Sequence, residues 1–325
     1  MTNNANTAAP LTKLPPNDWI WKNGEFIPWA DATVHILAHS MQFGSAAFEG
    51  VRCYGTPNGP AIFRLEDHLT RLINSCRIYR MEVKYSIDDM VAATAELVDR
   101  NKLEACYIRP MALRGFGASG MVPFGSPVEV YIPCWKWGSY HGDSALNDGV
   151  DACIASWMRM APNTTPSGAK VGGNYLSSQL VKMEALQNGF DEGIALDVNG
   201  RLSEGSGQNL FLVSKGTILT APINGTLLPG ITRDTVMTFA REQNIPVREI
   251  ELPRESIYTA DEVFMTGTAA EVTPVRSVDR IPIGTGKPGP VTQLIQRLYM
   301  GTVKGEIEDK HGWLTYVKAE KASRA

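Results

Sequence analysis

The chain has 325 residues, 43% of them hydrophobic, and a formal net charge of −3 at pH 7. It is long enough to bury the cores of two domains, and its balanced charges exclude the basic surface typical of proteins that bind nucleic acids or anionic membranes. No apolar run approaches the ~18 residues of a membrane-spanning helix. Residues 1–18 lack the apolar core of a signal peptide and the arginines of a transit peptide, which predicts a flexible tail.

The five cysteines are scattered along the chain without a C-x-x-C pair. They are Cys53, Cys76, Cys106, Cys134 and Cys153. An odd number without metal-binding spacing predicts buried free thiols, with neither disulfides nor a metal site. We therefore expect a cytoplasmic enzyme.

The first half of the chain predicts a small α+β domain over residues 19–135. In chain order its elements are a hairpin around Asn23-Gly24, a strand pair over 48–54 and 60–64, two amphipathic helices and a strand over 106–113, followed by an apolar, aromatic run over 128–137. The second helix begins with a capping box formed by Ser86 and Asp89. Residues 136–148 predict a linker to a larger domain over 149–325.

Two arginines of this first half stand in unequal contexts. Arg71 lies between the apolar positions of its helix, and the pattern alone favours a solvated side chain. Arg109 lies inside the apolar strand 106–113, where an unpaired charge is costly to bury. It therefore either points to an open face or awaits an anion.

The run Gly115-Phe116-Gly117-Ala118-Ser119-Gly120 matches the dinucleotide-binding pattern G-x-G-x-x-G. That pattern requires a helix after the last glycine and an acidic residue about 20 positions later. Residues 121–127 contain two prolines, and positions 135–140 hold no acid. The run therefore favours a mobile, glycine-rich loop over a cleft, and an NAD-dependent oxidoreductase remains only a formal alternative.

The second half alternates predicted strands and helices. The helices are 174–189, with Leu176, Leu180 and Met183 on one face, and a helix ending near Gln243, with Val236, Phe239 and Ala240 on its inner face. A hairpin with the turn Asn199-Gly200 joins the apolar strands 192–198 and 209–213.

Lys170 stands in a run of small residues, Ser167-Gly168-Ala169-Lys170-Val171-Gly172-Gly173. Small neighbours let a flat group approach the lysine nitrogen. A lysine shielded from water loses its proton more easily and becomes a nucleophile toward an aldehyde. Taken alone, a single lysine is more often a solvated surface residue.

Three further stretches place polar groups beside glycines. They are Glu204 before Gly205, the run Gly230-Ile231-Thr232 before a helix, and the run Gly267-Thr268-Ala269 after an apolar strand. Each alone is also compatible with an ordinary turn or helix start. With Lys170 they supply an amine, a carboxylate and two anion-binding turns, which suit the aldehyde, ring nitrogen and phosphate of pyridoxal phosphate.

These motifs resemble those of the class IV, or fold type IV, pyridoxal-phosphate aminotransferases, and are most similar to the bacterial branched-chain amino acid aminotransferases. The resemblance runs from about residue 19 to 316. Its motifs are Phe48-Glu49-Gly50-Val51-Arg52, Tyr107-Ile108-Arg109-Pro110, residues 169–175, Asp197-Val198-Asn199-Gly200, Ser203-Glu204-Gly205, residues 228–233 and residues 267–271. It implies a two-domain α/β and α+β fold with the cofactor between the domains. It also implies a homodimer or larger assembly in which the partner's loop helps to close each site.

The resemblance also implies a role for individual residues. Lys170 matches the lysine that bonds covalently to the cofactor's aldehyde, as an aldimine, and later moves a proton. The other matches are Glu204 for the ring nitrogen, Tyr175 for the phenolic oxygen, Arg71, Ile231, Thr232, Gly267 and Thr268 for the phosphate, Tyr107 and Thr268-Ala269 for the substrate α-carboxylate, Phe48, Trp137 and Tyr140 for the apolar pocket wall, and Arg109 for the side-chain carboxylate of glutamate.

The implied reaction is ping-pong transamination between leucine, isoleucine or valine and 2-oxoglutarate. D-amino acid or amine transaminases and aminodeoxychorismate lyases share the lysine and the glutamate, so they remain alternatives, as does a non-catalytic pyridoxal-phosphate binder. Two residues depart from the family pattern. Phe43 stands where a tyrosine is usual, and Gln208 where a glutamate is usual.

Overall fold

The structure is a computed structural model that describes residues 17–137 and 143–318, without the side chains of residues 143 and 144. Its first half is built from short strands around three helices. In chain order these elements are β1 (Trp19–Lys22), β2 (Glu25–Pro28), α1 (His39–Phe43), β3 (Ala47–Phe48), β4 (Val51–Thr56), β5 (Gly59–Phe63), α2 (Leu65–Ile78), α3 (Ile87–Arg100), β6 (Cys106–Ile108), β7 (Met111–Arg114), β8 (Val128–Ile132) and β9 (Cys134–Trp135).

The second half continues with longer strands and four helices. These elements are α4 (Asp143–Asp148), β10 (Val150–Ile154), α5 (Tyr175–Gln187), β11 (Glu192–Leu196), β12 (Leu202–Gly205), β13 (Asn209–Ser214), β14 (Thr217–Thr220), α6 (Ile231–Glu242), β15 (Val247–Glu249), β16 (Glu262–Gly267), β17 (Glu271–Val278), β18 (Ile281–Pro282), α7 (Pro290–Val303) and β19 (Leu314–Tyr316).

The described strands form three sheets. Two are antiparallel and have the orders β2-β1-β8-β7-β3 and β19-β5-β4-β6-β9. The third has nine strands in the order β12-β11-β10-β17-β16-β13-β14-β15, with β18 on β17. Its first strand, β12, also pairs with β13, so six of its strands close into a ring. Mixed α/β architecture was predicted, and the structure confirms it.

Local sequence signals account for several elements. Asn23 and Gly24 both take positive φ (49° and 96°), as a tight hairpin turn requires. The capping box at the start of α3 is formed by Ser86 and Asp89, as predicted. The buried faces of α2 and α3 pack on a core that includes strands of both five-stranded sheets. The five cysteines are buried and free, as predicted.

Two predicted strands and the apolar run 128–137 are interrupted, and the interruptions lie side by side. The strand 48–54 divides between β3 and β4 at Glu49, the strand 106–113 between β6 and β7 at Arg109, and the run 128–137 between β8 and β9 at Pro133. The Glu49 N–H donates to the Pro110 carbonyl (2.7 Å), and the Arg109 N–H donates to the Pro133 carbonyl (2.9 Å). Pro110 and Pro133 cannot donate to a strand ladder, which favours two of these breaks. All three segments pass here from one five-stranded sheet to the other.

Helix α5 buries the face opposite to the one that its apolar pattern predicted. Its most buried residues are the small or branched Ser178, Val181 and Ala185, because β11 approaches the helix closely. Leu176 and Met183 are 63% and 49% exposed. The apolar face of α5 therefore points away from the core.

The predicted linker 136–148 is partly helical, because residues 143–148 form α4. The last strand, β19, returns to pair with β5, so the C-terminal segment is part of a sheet of the first half. No helix of residues 17–137 and 143–318 is long and apolar enough to cross a bilayer.

Candidate active site

A cavity of about 570 Å³ is lined by residues of all three sheets. It brings together every predicted site residue that the structure describes except Trp137. The lining includes Phe48, Arg71, Tyr107, Arg109, Lys170, Tyr175, Glu204, Ile231, Thr232, Gly267, Thr268 and Ala269.

Lys170 is held from both halves of the chain. Its N–H donates to Ser75 Oγ (3.0 Å) in α2, and its carbonyl accepts from the Phe48 N–H (2.9 Å). Its Nζ lies 4.8 Å from the centre of the Phe48 ring and contacts the Tyr175 hydroxyl. Burial lowers the pKa of Lys170 from 10.5 to about 8, with Glu49 opposing that effect. The side chain can therefore supply a neutral amine to a carbonyl near neutral pH.

Glu204 is a buried carboxylate at another wall of the cavity. The hairpin of β12 and β13 places it opposite Asn209, whose amide donates to Glu204 Oε2 (3.3 Å). The Leu228 N–H donates to the same oxygen (3.2 Å), and Arg159 pairs with Oε1 (2.8 Å). Burial raises the pKa of Glu204, while Arg159 acts in the opposite direction. The carboxylate is thus fixed in place and suited to accept a proton or hydrogen bond from a ring nitrogen.

Arg71 is largely buried and paired, so the solvated side chain that its helix pattern favoured is wrong. Its Nε and Nη2 donate to the two oxygens of Glu49 (2.7 and 2.8 Å), and its Nη1 donates to the Pro229 carbonyl (2.8 Å). His68 Nδ1 lies 2.8 Å from the same carboxylate, and its Nε2 lies 3.5 Å from Thr268 Oγ1. Burial alone would raise the pKa of Glu49, but Arg71 and His68 hold it well below its usual range. The guanidinium is therefore oriented by the protein itself.

The start of α6 opens onto the same side of the cavity. Gly230 is the N-cap and provides no side-chain cap, so the first backbone N–H groups of the helix are available to an anion. A Cβ at position 230 would lie 1.9 Å from Asn209 Oδ1, so glycine is required here. Ile231 and Thr232 follow as the first helical residues.

The turn after β16 carries the second set of small residues. The Gly207 carbonyl lies 3.3 Å from the position of a Cβ at Gly267, which keeps this residue small. The turn ends at Glu271, whose positive φ of 56° is unusual for a side chain of this type. Glu271 pairs with Arg52 (3.0 Å) and accepts from the Tyr54 hydroxyl (3.0 Å), so β4 of the first half anchors the turn.

Arg109 lines the cavity and lies among aromatic rings. Its guanidinium carbon lies 5.1 Å from the ring centres of Phe48 and Tyr107 and 5.9 Å from that of Trp135. Its Nη2 donates to the Tyr107 hydroxyl (3.3 Å), and its Nε is buried without a partner. Within residues 17–137 and 143–318, no carboxylate pairs with it. Such an arginine can receive an anion and also offers an apolar surface.

Tyr107 reaches the cavity because Gly50 leaves room for it. A Cβ at position 50 would lie 1.9 Å from the Tyr107 hydroxyl. Tyr107 and the turn 267–269 line the same cavity, and the tyrosine hydroxyl can donate to a carboxylate bound there.

Some residues that the sequence singled out are not seen in the cavity lining. Trp137 does not line the cavity but packs on Tyr107 with ring centres 5.2 Å apart, and Tyr140 lies outside the described residues. Phe43 is 41% exposed and is not part of the lining. The glycine-rich run 115–120 is not part of the lining either, and residues 115–127 contain no helix, so the dinucleotide site is excluded.

Sequence reasoning missed several residues that organise the site. They are Glu49, His68, Arg159 and Asn209. Glu49 lies inside the motif 48–52, and Asn209 begins the apolar strand 209–213. A polar residue in such an apolar context could have indicated a buried hydrogen-bonding role. Arg159 follows two exposed apolar residues and gave no signal, because its pairing with Glu204 depends on the fold alone.

Several polar atoms of the cavity are consistent with a ligand rich in polar groups. Ser167 Oγ, Thr266 Oγ1 and Arg109 Nε are buried without a hydrogen-bond partner, and all three residues line the cavity. Buried polar atoms in native proteins usually have a partner. An amine, a buried carboxylate, a paired arginine and an open helix start therefore fit pyridoxal phosphate.

Comparison with known proteins gives the same picture. A sequence model described as amino-transferase class IV matches residues 46–278. The branched-chain-amino-acid aminotransferase of Escherichia coli (strain K12) is 51% identical over 301 residues, which cover 92% of this chain and 97% of that protein. A crystal structure of the E. coli enzyme superposes with a TM-score of 0.91 at 50% identity, covering 93% of this chain and all of that one.

The branched-chain amino acid aminotransferase of Thermobaculum terrenum has been solved in its PLP form, the holo form. Its crystal structure superposes with a TM-score of 0.88 at 35% identity, covering 94% of this chain and 99% of that one. The fold type IV architecture and the dependence on pyridoxal phosphate that the sequence predicted are thereby confirmed. The chain belongs to the class IV aminotransferase family.

Proposed function

We propose that the protein transfers the amino group of leucine, isoleucine or valine to 2-oxoglutarate, giving branched-chain 2-oxo acids and L-glutamate. The observation that carries this proposal is Arg109, which lies among three aromatic rings without a carboxylate partner in the described chain. The rings suit an apolar side chain, and the guanidinium suits the side-chain carboxylate of glutamate. One pocket can therefore accept both substrates in turn.

Lys170 is the proton-transfer residue of the proposal. When bound, pyridoxal phosphate supplies an aldehyde for the amino group and a ring that accepts electrons. The lowered pKa of Lys170, about 8, lets Nζ take and return a proton near neutral pH. The Tyr175 hydroxyl beside Nζ orients it.

Other residues hold the cofactor. Glu204, fixed by Arg159 and Asn209, would pair with the ring nitrogen, and Tyr175 would pair with the phenolic oxygen. The phosphate would be held by Arg71, by Ile231 and Thr232 at the start of α6, and by Gly267 and Thr268 in the turn after β16. Both groups of residues border one cavity, which supports this assignment.

The substrate occupies the remaining part of the cavity. Tyr107 and the Thr268-Ala269 turn bind the α-carboxylate, and Phe48 forms the apolar wall. Trp137 packs on Tyr107 behind the pocket. We retain Tyr140 as a proposed member of the apolar wall.

The test is a panel of amino acids assayed as half-reactions with the cofactor-loaded enzyme. We expect fast conversion of L-leucine, L-isoleucine, L-valine and L-glutamate, and slow conversion of their D-enantiomers and of simple amines. Preferential reaction of D-alanine or an amine would identify one of the other transaminases. Release of pyruvate from aminodeoxychorismate would identify the lyase.

We also propose a homodimer or larger homo-oligomer. Two neighbouring segments expose a cluster of large apolar side chains, namely Ile36, Leu37, Met41, Phe43, Phe116, Met121, Val122 and Phe124. The segments touch through His35 and Phe116, whose ring centres are 4.3 Å apart. Monomeric proteins seldom expose large contiguous apolar patches.

Sedimentation of the wild type and of Met121→Asp tests the oligomer. Met121 is 79% exposed, so a charge there disturbs no core. We expect the wild type to sediment as a dimer or larger and the variant to dissociate. A monomeric wild type would contradict the proposal.

Two further assignments follow the same proposal. We place a small domain at residues 19–135 and a large domain at 149–325, joined by 136–148, with β19 contributed back to the small domain. We place the enzyme in the cytoplasm, which the five buried free thiols support.

A further inference from the structure

A buried carboxylate outside the predicted site connects two walls of the cavity. Glu192, the first residue of β11, is fully buried. Its Oε2 accepts hydrogen bonds from Lys182 Nζ (2.8 Å) in α5 and from Gln208 Nε2 (2.9 Å) in the turn between β12 and β13. Its Oε1 accepts the Gly193 N–H (2.9 Å). A fully buried carboxylate with several donors fixes the groups that surround it.

Both polar atoms of the Gln208 side-chain amide are hydrogen-bonded, because Nε2 donates to Glu192 and Oε1 accepts the Gly207 N–H (3.0 Å). The main-chain carbonyl of Gln208 accepts the Gly205 N–H (2.7 Å). A Cβ at Gly205 would lie 2.7 Å from Gln208 Oε1, so the side chain folds back over its own turn. The turn 205–208 therefore has one internal arrangement, and Gln208 ties it to Glu192.

This turn borders the proposed cofactor site on both sides. Glu204 precedes it and Asn209 follows it, and these two residues hydrogen-bond to each other. Its tip faces the phosphate region, because a Cβ at Gly267 would lie 3.3 Å from the Gly207 carbonyl and 3.7 Å from Gln208 Cγ. A shift of the turn would move the ring-nitrogen partner and the wall behind Gly267 together.

We propose that Lys182, Glu192 and Gln208 are positioning residues that hold the turn 205–208 in its cofactor-binding arrangement, and that this chain requires a neutral amide at position 208. A glutamate at 208 would replace an amide donor by a second carboxylate within 2.9 Å of Glu192. Like charges at that distance in a buried site cannot both remain ionised without loss of the contact. Either one carboxyl takes up a proton or the contact is lost, and in both cases the amide donor that joins the turn to β11 is gone.

The test measures the affinity of the apoprotein for pyridoxal phosphate by equilibrium dialysis, together with the melting temperature of the apoprotein. Gln208→Glu should raise the dissociation constant about tenfold or more, because a buried charge-assisted hydrogen bond is replaced by repulsion. Gln208→Met, which has nearly the same shape and no added charge, should raise it by a smaller factor. Gln187→Glu adds the same charge at an exposed position of α5 and should leave it unchanged.

The exchanged pair Glu192→Gln with Gln208→Glu keeps one carboxylate and one amide in contact. We expect it to restore most of the affinity that Gln208→Glu loses, which a merely bulky or unstable variant could not do. Wild-type affinity in both Gln208→Glu and Gln208→Met would overturn the proposal. So would a lowered melting temperature with unchanged affinity, or a double variant no better than Gln208→Glu. The measurement needs no substrate and is independent of the proposed amino-acid specificity.

Discussion

Two arginines line the same cavity in opposite states. Arg71 donates through three nitrogens to Glu49 and Pro229. Within the described residues Arg109 makes one hydrogen bond, to Tyr107, and it lies among aromatic rings. We therefore call the part of the cavity around Arg71 the fixed end and the part around Arg109 the adaptable end.

This difference matches two tasks. A phosphate that stays through the whole reaction cycle is best met by a preorganised cation, since little ordering is needed on binding. A side-chain pocket that accepts leucine and then glutamate needs a cation that a carboxylate can use and an apolar side chain can tolerate. A protein carboxylate paired with Arg109 would occupy the donors that the side-chain carboxylate of glutamate needs.

The largest effect is expected at Lys170, which lines the same cavity as both arginines. Lys170→Ala should lower the half-reaction rate with leucine and with glutamate by at least the roughly 10²–10⁴-fold that positioned proton transfer supplies. The cofactor should still bind without a covalent bond, because the proposed phosphate residues are separate. Lys304→Ala, at an exposed position, is the matched control. Near-wild-type turnover of Lys170→Ala would contradict the mechanism.

A smaller loss is expected from Arg71→Ala at the fixed end. Removing a charged hydrogen-bond donor should weaken pyridoxal-phosphate binding by about 10–100-fold. It also leaves the fully buried Glu49 without its main partner, so the melting temperature of the apoprotein should fall. Arg71→Ala with Glu49→Gln should recover stability but not affinity. Recovery of both would mean that Arg71 serves only the fold.

Gly50→Ala should disturb the adaptable end alone. The added Cβ would collide with the Tyr107 hydroxyl, and overpacking of this kind typically costs about 1–3 kcal/mol. We expect the half-reactions with leucine and glutamate to slow by about tenfold each, because the α-carboxylate site serves both. Cofactor affinity should not change, and equilibrium dialysis checks that. A loss of cofactor affinity would show that the two ends are not separate.

The smallest effect is a shift in a titration. Burial lowers the pKa of Lys170 to about 8, so amine-selective labelling of the apoprotein should modify Lys170 with a midpoint near pH 8. Between this value and 10.5 the folded chain binds fewer protons at Lys170 than the unfolded chain does. This group therefore favours folding more as the pH rises through that window. Mass spectrometry reports the modified fraction, with the exposed Lys304 as internal reference. A midpoint above about 10, the range of an ordinary lysine, would show that Lys170 is solvated.

The sequence predicted the cofactor end better than its surroundings. Lys170, Glu204 and the two glycine turns carry local patterns, because close approach of a ligand demands small residues next to a few polar ones. Residues within one motif are also close in sequence, so their pattern can be recognised without knowledge of the fold. The fold then needs only to bring four such motifs to one cavity.

Features that depend on distant contacts could not be predicted. Arg71 was expected in solvent because its partner Glu49 stands in another motif, 22 residues earlier. The breaks at Glu49, Arg109 and Pro133 arise where chains pass between sheets, which no single strand pattern reveals. Leu176 is exposed although its place on an apolar helix face suggested contact with the interior.

The central claim is that Arg109 distinguishes glutamate from leucine whereas Arg71 does not. The direct measurement is the ratio of the half-reaction rates with glutamate and with leucine, at saturating cofactor, in the wild type, Arg109→Ala and Arg71→Ala. We predict that Arg109→Ala lowers this ratio about tenfold or more, since a hydrogen-bonded charge is lost for glutamate only, and that Arg71→Ala leaves it unchanged. Equal loss of both rates in Arg109→Ala would contradict the account, because Arg109 would then hold the α-carboxylate or the fold.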